Sequence, residues 1–172
     1  MAGSRGKAFE RELRKSFDRT PDALAYRIQD SVFIKNGHMV GSETPGDLWV
    51  FCKAGGLTAH LIEAKATSRR SFAFSMLSEG QVSSLGLFDA FSDGAMSWVA
   101  VNFYDEYSLR ARNVCAMLPF REVARLSADG AKSVPMDDAV SLGVVCPRSA
   151  GGVYDMSPWV DAVAKMGGNV IE

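Results

Sequence analysis

Asp47, Glu63 and Lys65 are the side chains in this sequence whose types and spacing suit chemistry on a phosphodiester. Asp47 closes the tripeptide Pro45-Gly46-Asp47, and after fifteen intervening residues comes Glu63-Ala64-Lys65. Two carboxylates brought together at a strand end make a hard oxygen site for Mg2+, which keeps several waters and accepts phosphate oxygens. Such an ion makes its water a better nucleophile and neutralises charge on the phosphorus transition state. A lysine beside it can orient that water or offset phosphate charge. The same three residues also suit a structural ion-pair set. Against that stands the apolar run His60-Leu61-Ile62-Glu63-Ala64-Lys65-Ala66, where burying charge without a purpose is costly.

The elements that must position these residues are legible around them. Leu48-Trp49-Val50-Phe51 and Leu57–Ala66 read as strands joined by a turn at Lys53-Ala54-Gly55-Gly56. Side chains alternate across a strand, so Glu63 and Lys65 share one face while Ile62 and Ala64 share the other. Closing the hairpin leaves Asp47 and Glu63 at its open end. Ser78-Glu79-Gly80-Gln81 has the spacing of a capping box and predicts a helix to about Phe91. Upstream, Ser4 is placed to cap a helix reaching about Arg19, with Phe9, Leu13 and Phe17 on one stripe. Short strands are expected around Ala25–Ile28 and Val32–Ile34, and a loop from Gly37 to Gly46.

Further on, Ser97–Tyr104 and Arg112–Leu118 read as strands, Pro119–Leu126 as a helix, Val140–Cys146 as a late strand, and Ser157-Pro158 as the start of a last helix. The order of elements gives an α/β class with a central mixed β-sheet flanked by helices.

Composition narrows the classes. The chain has 172 residues, 19 Lys+Arg against 20 Asp+Glu, and 47% hydrophobic residues, which excludes disorder and suits one domain. The charge is uneven: residues 1–70 hold 12 basic and 8 acidic side chains, residues 71–172 hold 7 and 12. Cys52, Cys115 and Cys146 have no Cys-x-x-Cys spacing, and His38 and His60 lie far apart, so reduced buried thiols are expected rather than a disulfide or zinc site. No apolar run has the length of a membrane span, and no secretory signal pattern follows the first residues. A cytoplasmic protein is the expectation.

The spacing Pro45-Gly46-Asp47 … Glu63-Ala64-Lys65 resembles the PD-(D/E)xK nuclease signature. The similarity extends to Gly6-Lys7-Ala8-Phe9-Glu10 on the first helix, to Ala66-Thr67, to the segment with Phe72 and Phe74, and to Gln81. Over about residues 5–90 the chain resembles RecU-type and Hjc-type Holliday junction resolvases. The resemblance implies a restriction-endonuclease-like core, with a catalytic part over about 5–118 and further α/β elements over 119–172.

It also implies a homodimeric, metal-dependent endonuclease of DNA recombination and repair, making paired symmetric nicks in four-way junctions. Asp47, Glu63 and Glu10 would hold Mg2+, with Mn2+ able to substitute; Lys65 would assist the water and Gln81 would lie beside the site. Lys7, Arg11, Arg14, Thr67, Ser68, Arg69 and Arg70 are then the expected DNA contacts. Each accessory residue has a plainer use. Glu10 and Arg14 form an ordinary i, i+4 pair, Gln81 is a capping-box partner, and Phe72 and Phe74 are core. Other nucleases of the same fold, of restriction, repair or exonuclease type, and a non-catalytic DNA-binding protein are the alternatives.

Overall fold

The sheet grows outward from its longest strand. In the computed structural model of the chain, the residues described are 2–29, 32–35, 38–41, 44–91, 96–104, 113–149 and 151–167, with side chains set aside at 2–4, 32–35, 38–41 and 167. Helix α1 (Ala2–Phe17) is followed by β1 (Ala23–Arg27), the hairpin β2 (Val32–Lys35) and β3 (His38–Gly41), then β4 (Leu48–Cys52) and β5 (Thr58–Thr67). A short β6 (Ser71–Ala73) leads into α2 (Glu79–Phe91), and β7 (Met96–Phe103) and β8 (Val114–Pro119) follow. The chain ends with α3 (Phe120–Ala128), β9 (Ser133–Pro135), α4 (Met136–Leu142), β10 (Val144–Cys146) and α5 (Ser157–Gly167).

Six strands form the central sheet in the order β1-β4-β5-β7-β8-β10. The β5–β7 pair is parallel and every other pair in it is antiparallel. Parallel pairing needs a crossover, and α2 supplies it. The two faces of the sheet carry separate cores. Ile62, Ala64, Trp98 and Ala100 pack with Phe9, Leu13 and Phe17 of α1 and Trp159 of α5. Leu61, Val99 and Val101 pack on the other face with Leu85 of α2 and Phe120 and Val123 of α3. The expected stripe on α1 is fully buried. Phe9 meets Tyr154, and Phe17 meets Trp159, edge to face at 5.7 and 5.2 Å.

The turn between β4 and β5 needs its glycines. Gly55 and Gly56 have φ of 73° and 116°, and a Cβ on Gly55 would lie 2.6 Å from the Ala164 carbonyl oxygen of α5. Left-handed backbone and close helix approach coincide there.

Three local expectations change. The first helix begins at Ala2, so Ser4 lies inside it and is not its cap. The loop expected over Gly37–Gly46 contains β3, which pairs with β2; Gly37 itself lies outside the described residues. The late strand is only Val144–Cys146, because Val140–Leu142 belong to α4, a helix that begins after Pro135 with Asp137 and Asp138 in its first turn. Those carboxylates favour the helix N-terminus over a strand. Phe72 is buried and meets the half-buried Phe74 edge to face at 6.0 Å, in line with the core reading of this pair. The three cysteines are free and buried, and no helix among the described residues is long and apolar enough to cross a membrane.

Candidate active site

The register of β4 with β5 pairs Leu48 with Ile62, so the next position sets Asp47 opposite Glu63. The ladder continues through that step: Asp47 N–H donates to the Ile62 carbonyl at 2.9 Å, and Ile28 N–H donates to the Asp47 carbonyl at 2.9 Å. Gly46 makes the approach possible, since a Cβ there would stand 3.2 Å from the Ile62 carbonyl oxygen and 3.0 Å from a Leu61 methyl. The Asp47 carboxylate is held from behind, with Oδ2 accepting from Ala64 N–H at 2.8 Å.

Glu63 is the deepest charge of the group, with 1% of its surface exposed. Its Oε1 accepts from Lys65 Nζ at 2.7 Å and from Gln81 Nε2 at 2.6 Å. Its Oε2 is buried and has no hydrogen-bond partner. Burial, then repulsion from Asp47, push the Glu63 carboxyl up to about 7; Lys65 opposes this and Glu10 adds to it. A buried carboxylate with one oxygen unused and another carboxylate beside it costs free energy as it stands.

Gln81 has both roles that its position allows. Its N–H donates to Ser78 Oγ at 3.2 Å and its Oε1 accepts from Ser78 N–H at 3.0 Å, which is a reciprocal capping box at the start of α2. The same Oε1 accepts from Lys65 Nζ at 3.2 Å. One amide therefore fixes the helix end, the glutamate and the lysine. The capping-box spacing of Ser78 and Gln81 was legible in the sequence, and the structure gives Gln81 that role together with its contacts to Glu63 and Lys65.

Glu10 approaches from α1 and is near enough to act on Glu63 electrostatically, while its carboxylate pairs with Arg27 at 3.6 Å. Arg27 escaped the sequence because its relation to Glu10 is set by β1 docking beside β4. Among the described residues no group of three His, Cys, Asp or Glu side chains is gathered so as to hold a metal ion. Asp47 and Glu63 alone still fit Mg2+, a hard cation commonly held by one or two carboxylates with water filling the rest. The unpartnered Oε2 is an oxygen donor that such an ion would satisfy.

The expected DNA contacts divide. Lys7, Arg11, Arg14, Ser68, Arg69 and Arg70 are exposed. Thr67 is not: it is buried, and its Oγ1 accepts from Arg69 N–H at 3.1 Å. It shapes the turn that presents Ser68–Arg70 and does not itself face solvent. Arg14 pairs with Asp18 at 3.8 Å. His60 is buried, accepts from Trp98 Nε1 at 3.2 Å and lies 2.9 Å from Thr58 Oγ1; burial lowers its pKa to about 4. It is a neutral core residue, and the side chain of His38 lies outside the described residues.

No protein-family model matches the chain, and no curated protein matches it. Among solved structures it is similar to Hjc of Archaeoglobus fulgidus, a Holliday junction resolvase from an archaeal hyperthermophile. The two chains share 21% identity over 80% of this chain and 93% of that one, with a TM-score of 0.51. The likeness is one of fold: a central mixed sheet flanked by helices.

Proposed function

We propose that the chain is a metal-dependent, structure-selective DNA endonuclease that resolves four-way junctions as a homodimer by paired symmetric nicks. The observation that carries this is Glu63: a buried carboxylate with a free oxygen, set against Asp47 and clamped by Lys65 and Gln81 on a fold similar to that of Hjc. Asp47 and Glu63 would hold Mg2+, which supplies charge neutralisation at the phosphate and a more acidic water.

The remaining steps belong to the chain's own groups. Ala64 N–H and the β4–β5 ladder fix the aim of Asp47. Lys65 places a positive charge beside Glu63, where it can orient the attacking water and meet charge developing on the phosphate. Gln81 prevents both side chains from swinging away. Exposed Arg69 and Arg70, two and three positions past the end of β5, are placed to take flanking phosphates. Attack of water on phosphorus and departure of a sugar oxygen then leave a nick with a terminal phosphate and a hydroxyl.

The test is cleavage of a labelled four-way junction, a linear duplex and a single strand, with Mg2+ or EDTA, beside Asp47→Asn. Paired symmetric nicks confined to the junction are expected, abolished by EDTA and by the substitution while junction binding persists. Equal cutting of plain duplex would remove junction selectivity and leave a general endonuclease. Absence of cleavage with either Mg2+ or Mn2+ would remove the enzyme.

A further inference from the structure

Two of the three cysteines sit opposite one another across a pair of strands. Cys146 of β10 is the direct antiparallel partner of Cys115 of β8. Opposed side chains point to the same face, and both thiols lie in the core shared with α1 and α5. Opposed residues of an antiparallel pair have Cα atoms about 4.5 Å or about 5.5 Å apart, according to whether they exchange hydrogen bonds. A disulfide spans about 4.4–6.8 Å between Cα atoms, so either kind of pair is within reach without moving the backbone. The thiols are near enough that Cys146 acts on Cys115 electrostatically.

Topology excludes the third cysteine. Cys52 belongs to β4, three strands from β8 and four from β10 in the sheet order. At about 4.8 Å per strand, three steps place it roughly 14 Å from Cys115. Both opposed thiols are free and fully buried. Burial pushes the Cys146 thiol up to about 12 and that of Cys115 well above its ordinary value, so both stay protonated while β10 is seated. The weak point of that enclosure is β10 itself, three residues long and last in the sheet order among the described residues. Such short edge elements open locally at far less cost than global unfolding.

We propose that Cys115 and Cys146 form a site of reversible oxidation, closing to a cross-strand disulfide when hydrogen peroxide reaches Cys146 on an opened β10. In the first step the Cys146 thiolate attacks one peroxide oxygen. The O–O bond breaks, hydroxide leaves and a sulfenic acid forms. As β10 reseats, Cys115 gives up its proton and attacks the Cys146 sulfur; the S–S bond forms, the S–O bond breaks and a second hydroxide leaves. The two hydroxides take up the two thiol protons. Two thiols thus lose two electrons to give one disulfide, and peroxide is reduced to two waters. A thiol reductant reverses the change by exchange. The bond closes a loop that holds α3, β9 and α4, and it pins the strand that leads to α5. Because β8 and β10 lie two and three strands from β5, the inference stands apart from the junction-cutting proposal.

Thiol counting on the full chain tests this. The wild type is held with hydrogen peroxide, denatured, alkylated with N-ethylmaleimide and analysed by mass spectrometry, with peptide mapping of any link. The treated chain is expected to take one alkyl group where the untreated chain takes three, with a link mapping to Cys115 and Cys146 of one chain. Dithiothreitol should restore all three thiols, and the thermal midpoint of the linked chain should lie roughly 5–15 °C higher. Cys52→Ala should still form the link, and Cys146→Ala should not. Three alkylated thiols after prolonged exposure, a sulfinic acid at Cys146 in place of the link, or a link that uses Cys52 or joins two chains would each overturn the pair. Should Cys146→Ala fail to fold, the mapped link in the wild type decides alone. A link that leaves the thermal midpoint unmoved would overturn the pinning of β10.

Discussion

Glu63 concentrates the chemistry of the candidate site in one side chain. Its folded pKa of about 7 lies above the ordinary 4.5, so the metal-free native state binds the proton more tightly than the unfolded chain does. The stability this gives is present below the ordinary value and is lost as pH rises through the folded one, by up to about 3 kcal/mol. Denaturant unfolding of the metal-free protein should therefore show Glu63→Gln gaining on the wild type between about pH 5 and about pH 8. Equal pH profiles would mean that Glu63 is not strained. At this scale the sequence was informative for Asp47, Glu63, Lys65 and Gln81, because strand alternation, the hairpin count and a capping box are all local rules. It was silent on Arg27 beside Glu10, since that contact depends on how a helix lies over a distant strand.

The β4–β5 hairpin is the element that turns two distant carboxylates into neighbours, and its turn is held by more than local preference. Gly55 combines φ of 73° with a close approach of α5 at Ala164. Gly55→Ala should destabilise the fold by about 1–3 kcal/mol, read from the thermal or denaturant midpoint. Gly56→Ala, with open space around its missing Cβ, should cost less. An equal cost at both positions would show that φ alone decides. Long periodic elements were readable to within about two residues. The short ones were not: β3, β6 and β9 have four, three and three residues, too few for alternation to register. The seven-residue α4 lost out to the valines around it, although Pro135 and the acidic first turn were available signals.

For the whole molecule, the near-neutral charge conceals a basic first half and an acidic second half. Removing Arg69 or Arg70, both exposed at the end of β5, should weaken DNA binding across sequences and lower the slope of log affinity against log salt by about 1 for each. A salt slope unchanged by either substitution would place the backbone contacts elsewhere. The sheet also changes direction at one strand: β5 is antiparallel to β4 and parallel to β7. The antiparallel side closes through a five-residue turn, whereas the parallel side waits for the whole α2 crossover. Loop closure favours the first of these. The candidate site straddles that seam, so its parts differ in folding time. Asp47 and Glu63 meet when a local hairpin forms, and the Gln81 brace arrives only when the crossover is laid down.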